Sequence, residues 1–159
     1  MKIFAKCLIG VVMSVVLITT PLLLKAQWNT NTFENIQVSG LKTADMQSVR
    51  TSDGKMWVAF YHENTGNYDM RAQLIDADGY KLLGPDGVLV SNKPSGSAIF
   101  VFNACVDNNN NLIIGCQDER TGTMQSVIYK ISPAGTHLWS SDGVIVGNGL
   151  APWPAALSN

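Results

Sequence analysis

Residues 47–92 decide the fold and read QSVRTSDGKMWVAFYHENTGNYDMRAQLIDADGYKLLGPDGVLVSN. Residues 103–148 follow the same pattern as NACVDNNNNLIIGCQDERTGTMQSVIYKISPAGTHLWSSDGVIVGN. The two stretches align at an offset of 56 residues without a gap. Identical residues stand at Glu63/Glu119, Thr65/Thr121, Gly66/Gly122, Ile75/Ile131, Gly79/Gly135, Leu82/Leu138, Asp86/Asp142, Gly87/Gly143, Val88/Val144, Val90/Val146 and Asn92/Asn148. A fixed period of this length indicates one supersecondary unit written twice.

Each copy is predicted to form four short strands and no helix. Asp53-Gly54 is a two-residue hairpin signal, because both central residues of such a turn must accept a positive φ. The second strand is a continuous apolar run, which predicts burial on both faces. The predicted strands are Gln47–Thr51, Met56–Tyr61, Asp69–Ile75 and Asp86–Val90, then Asn103–Val106, Leu112–Cys116, Gln125–Ile131 and Asp142–Val146.

In the third strand, the apolar residues of the second copy do not align with those of the first. They fall on the intervening positions. A sheet with one solvent-exposed face would carry its apolar residues at the same alternate positions in both copies. A sheet packed between neighbours on both faces need not do so. The pattern therefore predicts stacked sheets. The residues concerned are Met70, Ala72 and Leu74 in the first copy, and Val127, Tyr129 and Ile131 in the second.

The N-terminal 26 residues have the layout of a secretory signal peptide. Lys2 and Lys6 precede an apolar run over residues 7–24, and Lys25-Ala26-Gln27 ends it. We predict a signal-peptide helix cleaved after Ala26; the alternative is a permanent membrane anchor. Eight basic and twelve acidic side chains follow residue 26, a net charge of −4. This balance gives no reason to expect a nucleic-acid partner, and membrane contact is expected only during export.

Several motifs resemble the blade repeat of secreted bacterial β-propeller proteins. They are Asp53-Gly54, Trp57–Phe60, Thr65–Gln73 and Asp78-Gly79. Asp118-Glu119-Arg120-Thr121-Gly122 resembles the Asp-x-Arg-x-Gly turn of the same family, from which His62-Glu63-Asn64 departs. The chain also resembles large surface and secreted proteins of diderm bacteria that carry a sorting domain. The resemblance implies an all-β fold of two four-stranded antiparallel propeller-type blades, and leaves the chemistry open.

The predicted organisation places a blade at 47–92 and another at 103–148, joined by a connector at 93–102. Residues 27–46 form a lead-in with one outer strand, at Ile36-Gln37-Val38, and residues 149–159 start a third repeat. Propellers have about four to eight blades, so we expect an incomplete propeller, the N-terminal fragment of a longer protein. A short self-assembling protein is the alternative. In both cases the isolated chain is expected to self-associate through exposed faces and edges.

Cys105 and Cys116 flank an Asn-rich turn and are candidates for a disulfide, which an exported protein can form. The alternative is two separate buried thiols. A two-residue turn would pair Cys105 with Ile114 and make the cysteines diagonal neighbours on one face. Such neighbours are generally too far apart, since a bridge needs Cβ atoms about 3.8 Å apart. Both alternatives stay open at the level of sequence.

Two acidic segments resemble cation loops, but both are predicted to be turns. Asp107–Asn111 has alternating oxygen ligands, with Asp118 at the twelfth position of a calcium loop. Leu112 stands where that loop needs glycine, so a hairpin turn is expected. Asp76–Gly79 is expected to be a solvated turn. No metal or cofactor is predicted.

No catalytic constellation is predicted either. His62 and His137 are not repeat equivalents, and Glu63 and Glu119 recur because the turn recurs. Trp57 and Trp139 are expected to fill the core. The prediction is a non-catalytic secreted or cell-surface scaffold or binding module, with an unknown protein or glycan as ligand. The alternative is the N-terminal part of a larger exported, glycosidase-like hydrolase whose catalytic residues lie outside this chain.

Overall fold

The computed structural model describes residues 35–95 and 102–148, which form two four-stranded antiparallel sheets. Sheet 1 contains β1 (Thr43–Arg50), β2 (Met56–Asn64), β3 (Asn67–Ile75) and β4 (Val88–Ser91), in that order. Sheet 2 contains β5 (Phe102–Val106), β6 (Leu112–Asp118), β7 (Gln125–Ile131) and β8 (Val144–Asn148), in the same order. These ranges contain no helix, and therefore none that could cross a bilayer. The all-β prediction is confirmed.

The predicted signal-peptide helix and the predicted start of a third repeat lie outside the described residues. So does most of the connector, from residue 96 to residue 101.

The strand pairings of the two sheets agree position for position at an offset of 56 residues. The hairpin pairs Arg50↔Met56 and Val106↔Leu112 correspond, as do Ala72↔Val88 and Ile128↔Val144. The isolated bridges Ile75↔Lys81 and Ile131↔His137 correspond too. Each sheet also has an irregularity at the same place, between Met70 and Arg71 or between Ser126 and Val127.

The first strand of sheet 1 is longer than predicted. It begins at Thr43, inside the predicted lead-in, because β2 continues to Asn64 and offers His62 as the partner of Thr43. A bulge at Asp45, whose φ is 44°, absorbs the irregularity. The hairpin loop also differs from the prediction: five residues, 51–55, separate the pair Arg50↔Met56, where a two-residue Asp53-Gly54 turn was expected.

One core cluster lies between the two sheets. Sheet 1 contributes Trp57, Ala59, Tyr61, Met70, Ala72, Leu74 and Val90, which we call its packed face. The packed face of sheet 2 comprises Phe102, Leu112, Ile114, Cys116, Val127, Tyr129 and Ile131. The rings of Tyr61 and Phe102 meet edge to face across the interface, with centroids 5.4 Å apart.

This packing explains why the apolar residues of the two third strands do not align. The apolar residues of β3 and those of β7 face one another from two sides of one interface. Because side chains alternate along a strand, the two strands bury opposite sets of aligned positions there. The prediction of stacked sheets is confirmed for these two.

The other face of sheet 1 is also covered. Val58, Phe60 and Ile75 are buried there, together with the half-buried Ile36 and Val38 from the segment before β1. Every residue of β2 from Trp57 to Tyr61 is therefore buried, as its continuous apolar run predicted.

The face of sheet 2 that points away from sheet 1, which we call its outward face, carries exposed apolar side chains. Val144 is 43% exposed and Val146 56%, whereas Val90, at the position in sheet 1 that matches Val146, is 1% exposed. Trp139 is 39% exposed, so the expectation that it fills the core is wrong, while Trp57 at 0% fits it. The reason lies in the stacking: Leu83 matches Trp139 in position and packs against sheet 2, but no described sheet covers Trp139.

Candidate functional site

The candidate site is a polar groove between the two equivalent hairpin turns. The turns close with matching bonds: the Thr51 amide donates to the Lys55 carbonyl over 2.9 Å, and the Asp107 amide donates to the Asn111 carbonyl over 3.0 Å. Gly54 and Asn110 occupy the same turn position with φ of 86° and 62°. Asparagine tolerates that backbone region better than most residues, which accounts for its use in place of glycine.

Asp107 organises the Asn-rich turn. One of its carboxylate oxygens accepts from the amides of Asn109 and Asn111, both over 2.9 Å. The other accepts from the Asn111 side chain over 2.9 Å and lies 2.8 Å from Lys130 Nζ. Partial burial alone would raise the pKa of Asp107, but the bonds from Asn111 and Lys130 outweigh it and hold this pKa below its usual range.

The hairpin turn predicted for residues 107–111 is therefore what the structure forms, and both Asp107 oxygens are used within the protein. Among the described residues, no group of three His, Cys, Asp or Glu side chains is placed to hold a metal ion. The second acidic segment is also a turn, because Asp76 Oδ1 accepts from the amides of Asp78 and Tyr80.

Asn110 joins the two turns. Its side-chain oxygen accepts from the amide and the hydroxyl of Ser52, over 2.8 and 2.9 Å. Its backbone carbonyl accepts from the indole nitrogen of the buried Trp57 over 2.9 Å. Three bonds from one residue thus fix the separation of the two turns and the width of the space between them.

The space between the turns is an open groove of about 360 Å³. Its lining comprises Arg50, Thr51, Ser52, Val106, Asp107, Asn108 and Asn110. Arg50 is exposed and forms no ion pair with any residue that the structure describes. An arginine, an asparagine and turn residues therefore line one open groove, and guanidinium, amide and backbone N–H groups bind hydroxyl and carboxylate oxygens.

Sequence reasoning did not find this groove. Arg50 matches Val106 in the second copy, so the charge does not recur, and a search for repeated polar residues passes over it. The available signal was the Asn run itself, which predicted a turn at residues 107–111. What the sequence did not supply was the face-to-face stacking that brings the two turns together.

The Asp-x-Arg-x-Gly motif lies at the opposite ends of the strands and holds the structure together. Arg120 Nε lies 2.8 and 3.0 Å from the two Asp118 oxygens. Arg120 also donates to the Tyr129 hydroxyl over 2.8 Å, and Tyr129 donates to Ser91 Oγ of sheet 1 over 2.9 Å. Hydrogen bonding to Asp118 raises the pKa of Arg120, so the guanidinium stays charged. The motif joins sheet 2 to sheet 1.

The histidines and glutamates considered for catalysis are not brought together. His62 Nδ1 lies 3.1 Å from the Lys42 carbonyl, and Glu63 forms an exposed ion pair with Lys42. His137 lies in sheet 2 instead, where its ring packs against Tyr129 with centroids 6.0 Å apart. Glu119 donates its amide to the Pro94 carbonyl. Each residue supports the turn or strand end where it lies.

The two candidate disulfide cysteines point to opposite faces of sheet 2. Cys105 pairs with Ile113 and Cys116 with Phe102. Since side chains alternate along a strand, Cys116 belongs to the packed face and Cys105 to the outward face. The expectation that they are diagonal neighbours on one face is therefore wrong. Both thiols are free in the structure, and the disulfide alternative is not realised.

The native protein is expected to keep both thiols unmodified by iodoacetamide at pH 8. Burial, and then the nearby Asp118, raise the pKa of Cys116 to about 12, and burial also raises that of Cys105. Thiolates are the reactive form. Peptide-mapped alkylation should label both only after unfolding in urea. Labelling of either thiol in the native protein, or a Cys105–Cys116 cross-linked peptide before reduction, would contradict this placement.

Comparison with models of known families, with curated proteins and with solved structures gave no match for this chain.

Proposed function

We propose that this chain is part of an exported β-propeller that serves as a non-catalytic scaffold or binding module at the bacterial cell surface. The observation that carries the proposal is the stacking of two sheets whose pairings correspond at a 56-residue offset. Each sheet offers one face to a neighbour, as blades of a propeller do. The signal-peptide layout of residues 1–26 supports export.

Several charged groups within the described residues support a scaffold in a second way. Asp107 closes a turn, Asp118 pairs with Arg120, and Asp86 accepts from Ser39 and Gly40. Charged groups that maintain architecture in this way are committed to partners inside the protein. This supports a structural role for these charged groups.

The groove between the hairpin turns is where we place ligand binding. Arg50 supplies a free positive charge, and Asn108 an amide, beside a wall fixed by Asn110. These groups suit a glycan that carries carboxylates, because guanidinium groups bind carboxylates in bidentate fashion. The ligand class we propose is therefore an acidic glycan.

A glycan array that contains both uronic-acid and neutral glycans tests this proposal. The purified chain is expected to bind the acidic glycans, and Arg50→Met is expected to lose that binding. Lys81→Met is the matched control, since Lys81 lies outside the groove and donates to the Pro85 carbonyl. Equal binding by wild type and Arg50→Met would contradict the groove as the site. Release of sugar from the bound glycans by this chain would contradict a non-catalytic role.

A further inference from the structure

The Asn-rich turn contains the backbone amides that start deamidation of its own asparagines. In this reaction the backbone nitrogen of the next residue attacks the side-chain carbonyl carbon of an asparagine. A five-membered ring forms as the side-chain nitrogen leaves as ammonia, and water then opens the ring to aspartate or isoaspartate. The attacking nitrogens for Asn108, Asn109 and Asn110 are therefore the amides of Asn109, Asn110 and Asn111.

Asp107 binds all three of these amides. The amides of Asn109 and Asn111 donate to its carboxylate oxygen Oδ1, both over 2.9 Å. The Asn110 amide donates instead to the backbone carbonyl of Asp107, also over 2.9 Å. An amide nitrogen must lose its proton before it attacks, and a neighbouring carboxylate opposes that loss because it disfavours a second negative charge. The pKa of Asp107 lies below its usual range, so this charge is present at neutral pH.

The asparagines themselves are within reach of water. Asn108 and Asn109 are exposed, and Asn110 is half-buried. Asn110 is also held by its side chain, whose oxygen accepts from the amide and the hydroxyl of Ser52. The water that completes the reaction is therefore available, and release of the attacking amides is the step that the fold controls.

We propose that Asn108 and Asn110 are deamidation sites that the Asp107 side chain protects from reaction. The amides that attack these two residues are the ones bound to the carboxylate. Asn109 differs, because the amide that attacks it is bound to a backbone carbonyl. Asn108 and Asn110 both line the groove beside Arg50. Each reaction therefore replaces a neutral amide in the groove with a carboxylate and lowers the positive charge there.

Asp107→Ala tests the proposal by removing the carboxylate while keeping the backbone carbonyl. During incubation at pH 8, tandem mass spectrometry is expected to show Asn108 deamidating about tenfold or more faster than in the wild type, since hydrogen bonds to a charged group are lost. Asn110 should gain less, because Ser52 still holds its side chain, and Asn109 should gain least. Equal acceleration at all three asparagines would indicate general loosening and would overturn the proposal, as would an unchanged rate at Asn108.

Two further variants separate the amide bonds from the ion pair. Lys130→Met removes the ion pair of Asp107 but leaves both amide bonds, so Asn108 should deamidate at the wild-type rate. A rate as high as that of Asp107→Ala would overturn the proposal. Asp107→Ser supplies a hydroxyl oxygen that accepts turn amides more weakly, so its rate should lie between those of the wild type and Asp107→Ala. Urea unfolding checks that each variant is folded. Should the alanine variant be unfolded, the serine variant decides, and a wild-type rate at its Asn108 would refute protection by the carboxylate.

Discussion

Arg120→Met is expected to lower the free energy of unfolding by about 3–5 kcal/mol, because removing one partner of a buried ion pair leaves the other charge uncompensated. The side chain of Asp118 is 3% exposed and that of Arg120 14%. The substitution also removes the bond to Tyr129, the hydroxyl that reaches Ser91 in the neighbouring sheet. Urea denaturation followed by circular dichroism measures the loss.

The control for this prediction is the exposed ion pair of Lys42 with Glu63, whose side chains are 78% and 39% exposed. Lys42→Met should cost about 0–1 kcal/mol, as exposed pairs do. Adding Asp118→Asn to Arg120→Met should recover part of the stability, since it removes the buried charge. If Arg120→Met were no worse than Lys42→Met, the structural role of the Asp-x-Arg-x-Gly motif would be refuted.

Gly87→Ala is expected to destabilise the protein by about 3–4 kcal/mol, the sum of a left-handed backbone penalty and a steric clash. Gly87 has a φ of 68°, and a Cβ there would lie 2.3 Å from the carbonyl oxygen of Ala72 in β3. The clash is with backbone, so no side-chain rotation relieves it. The measurement is again the midpoint and slope of urea unfolding.

Gly84→Ala separates the two contributions. Gly84 has a φ of 75° but no atom within 4 Å of the added Cβ, so only the backbone penalty of about 1–2 kcal/mol applies. The difference between the two variants reports the close approach of the turn to β3. Equal losses would mean that the turn does not come as close to β3 as the structure has it.

The two sheets and their order could be predicted from the sequence, because the turn residues and the apolar runs recur at one offset. The burial of Trp57 followed from its place within a continuous apolar run. The exposure of Trp139 could not be predicted from the same pattern, since its surroundings depend on whether a neighbouring sheet lies beside it. Local sequence predicts the strand, and the stacking decides which face is covered.

The faces of the cysteines could not be predicted because they depend on the length of one loop. A two-residue turn pairs Cys105 with Ile114, whereas the observed loop pairs it with Ile113. A shift of one residue in register moves side chains to the opposite face of the sheet. The groove was missed for a related reason, since Arg50 and Asn108 meet only after both loops have their observed lengths.

The two copies support the same turn with arginines from different positions in the unit. In sheet 1, Arg71 from β3 donates to the carbonyls of Asp86 and Gly87. In sheet 2, Arg120 from the β6–β7 turn donates to the carbonyl of Asp142, the match of Asp86. Position 71 corresponds to Val127, and position 120 to Asn64.

These positions therefore vary as a set rather than one at a time. A consensus sequence averaged over the two copies would combine both arginines at one carbonyl, or supply neither. An engineer who wishes to build a longer array from this protein should copy either unit whole, because its interchangeable part is the complete four-stranded unit and not the individual residue.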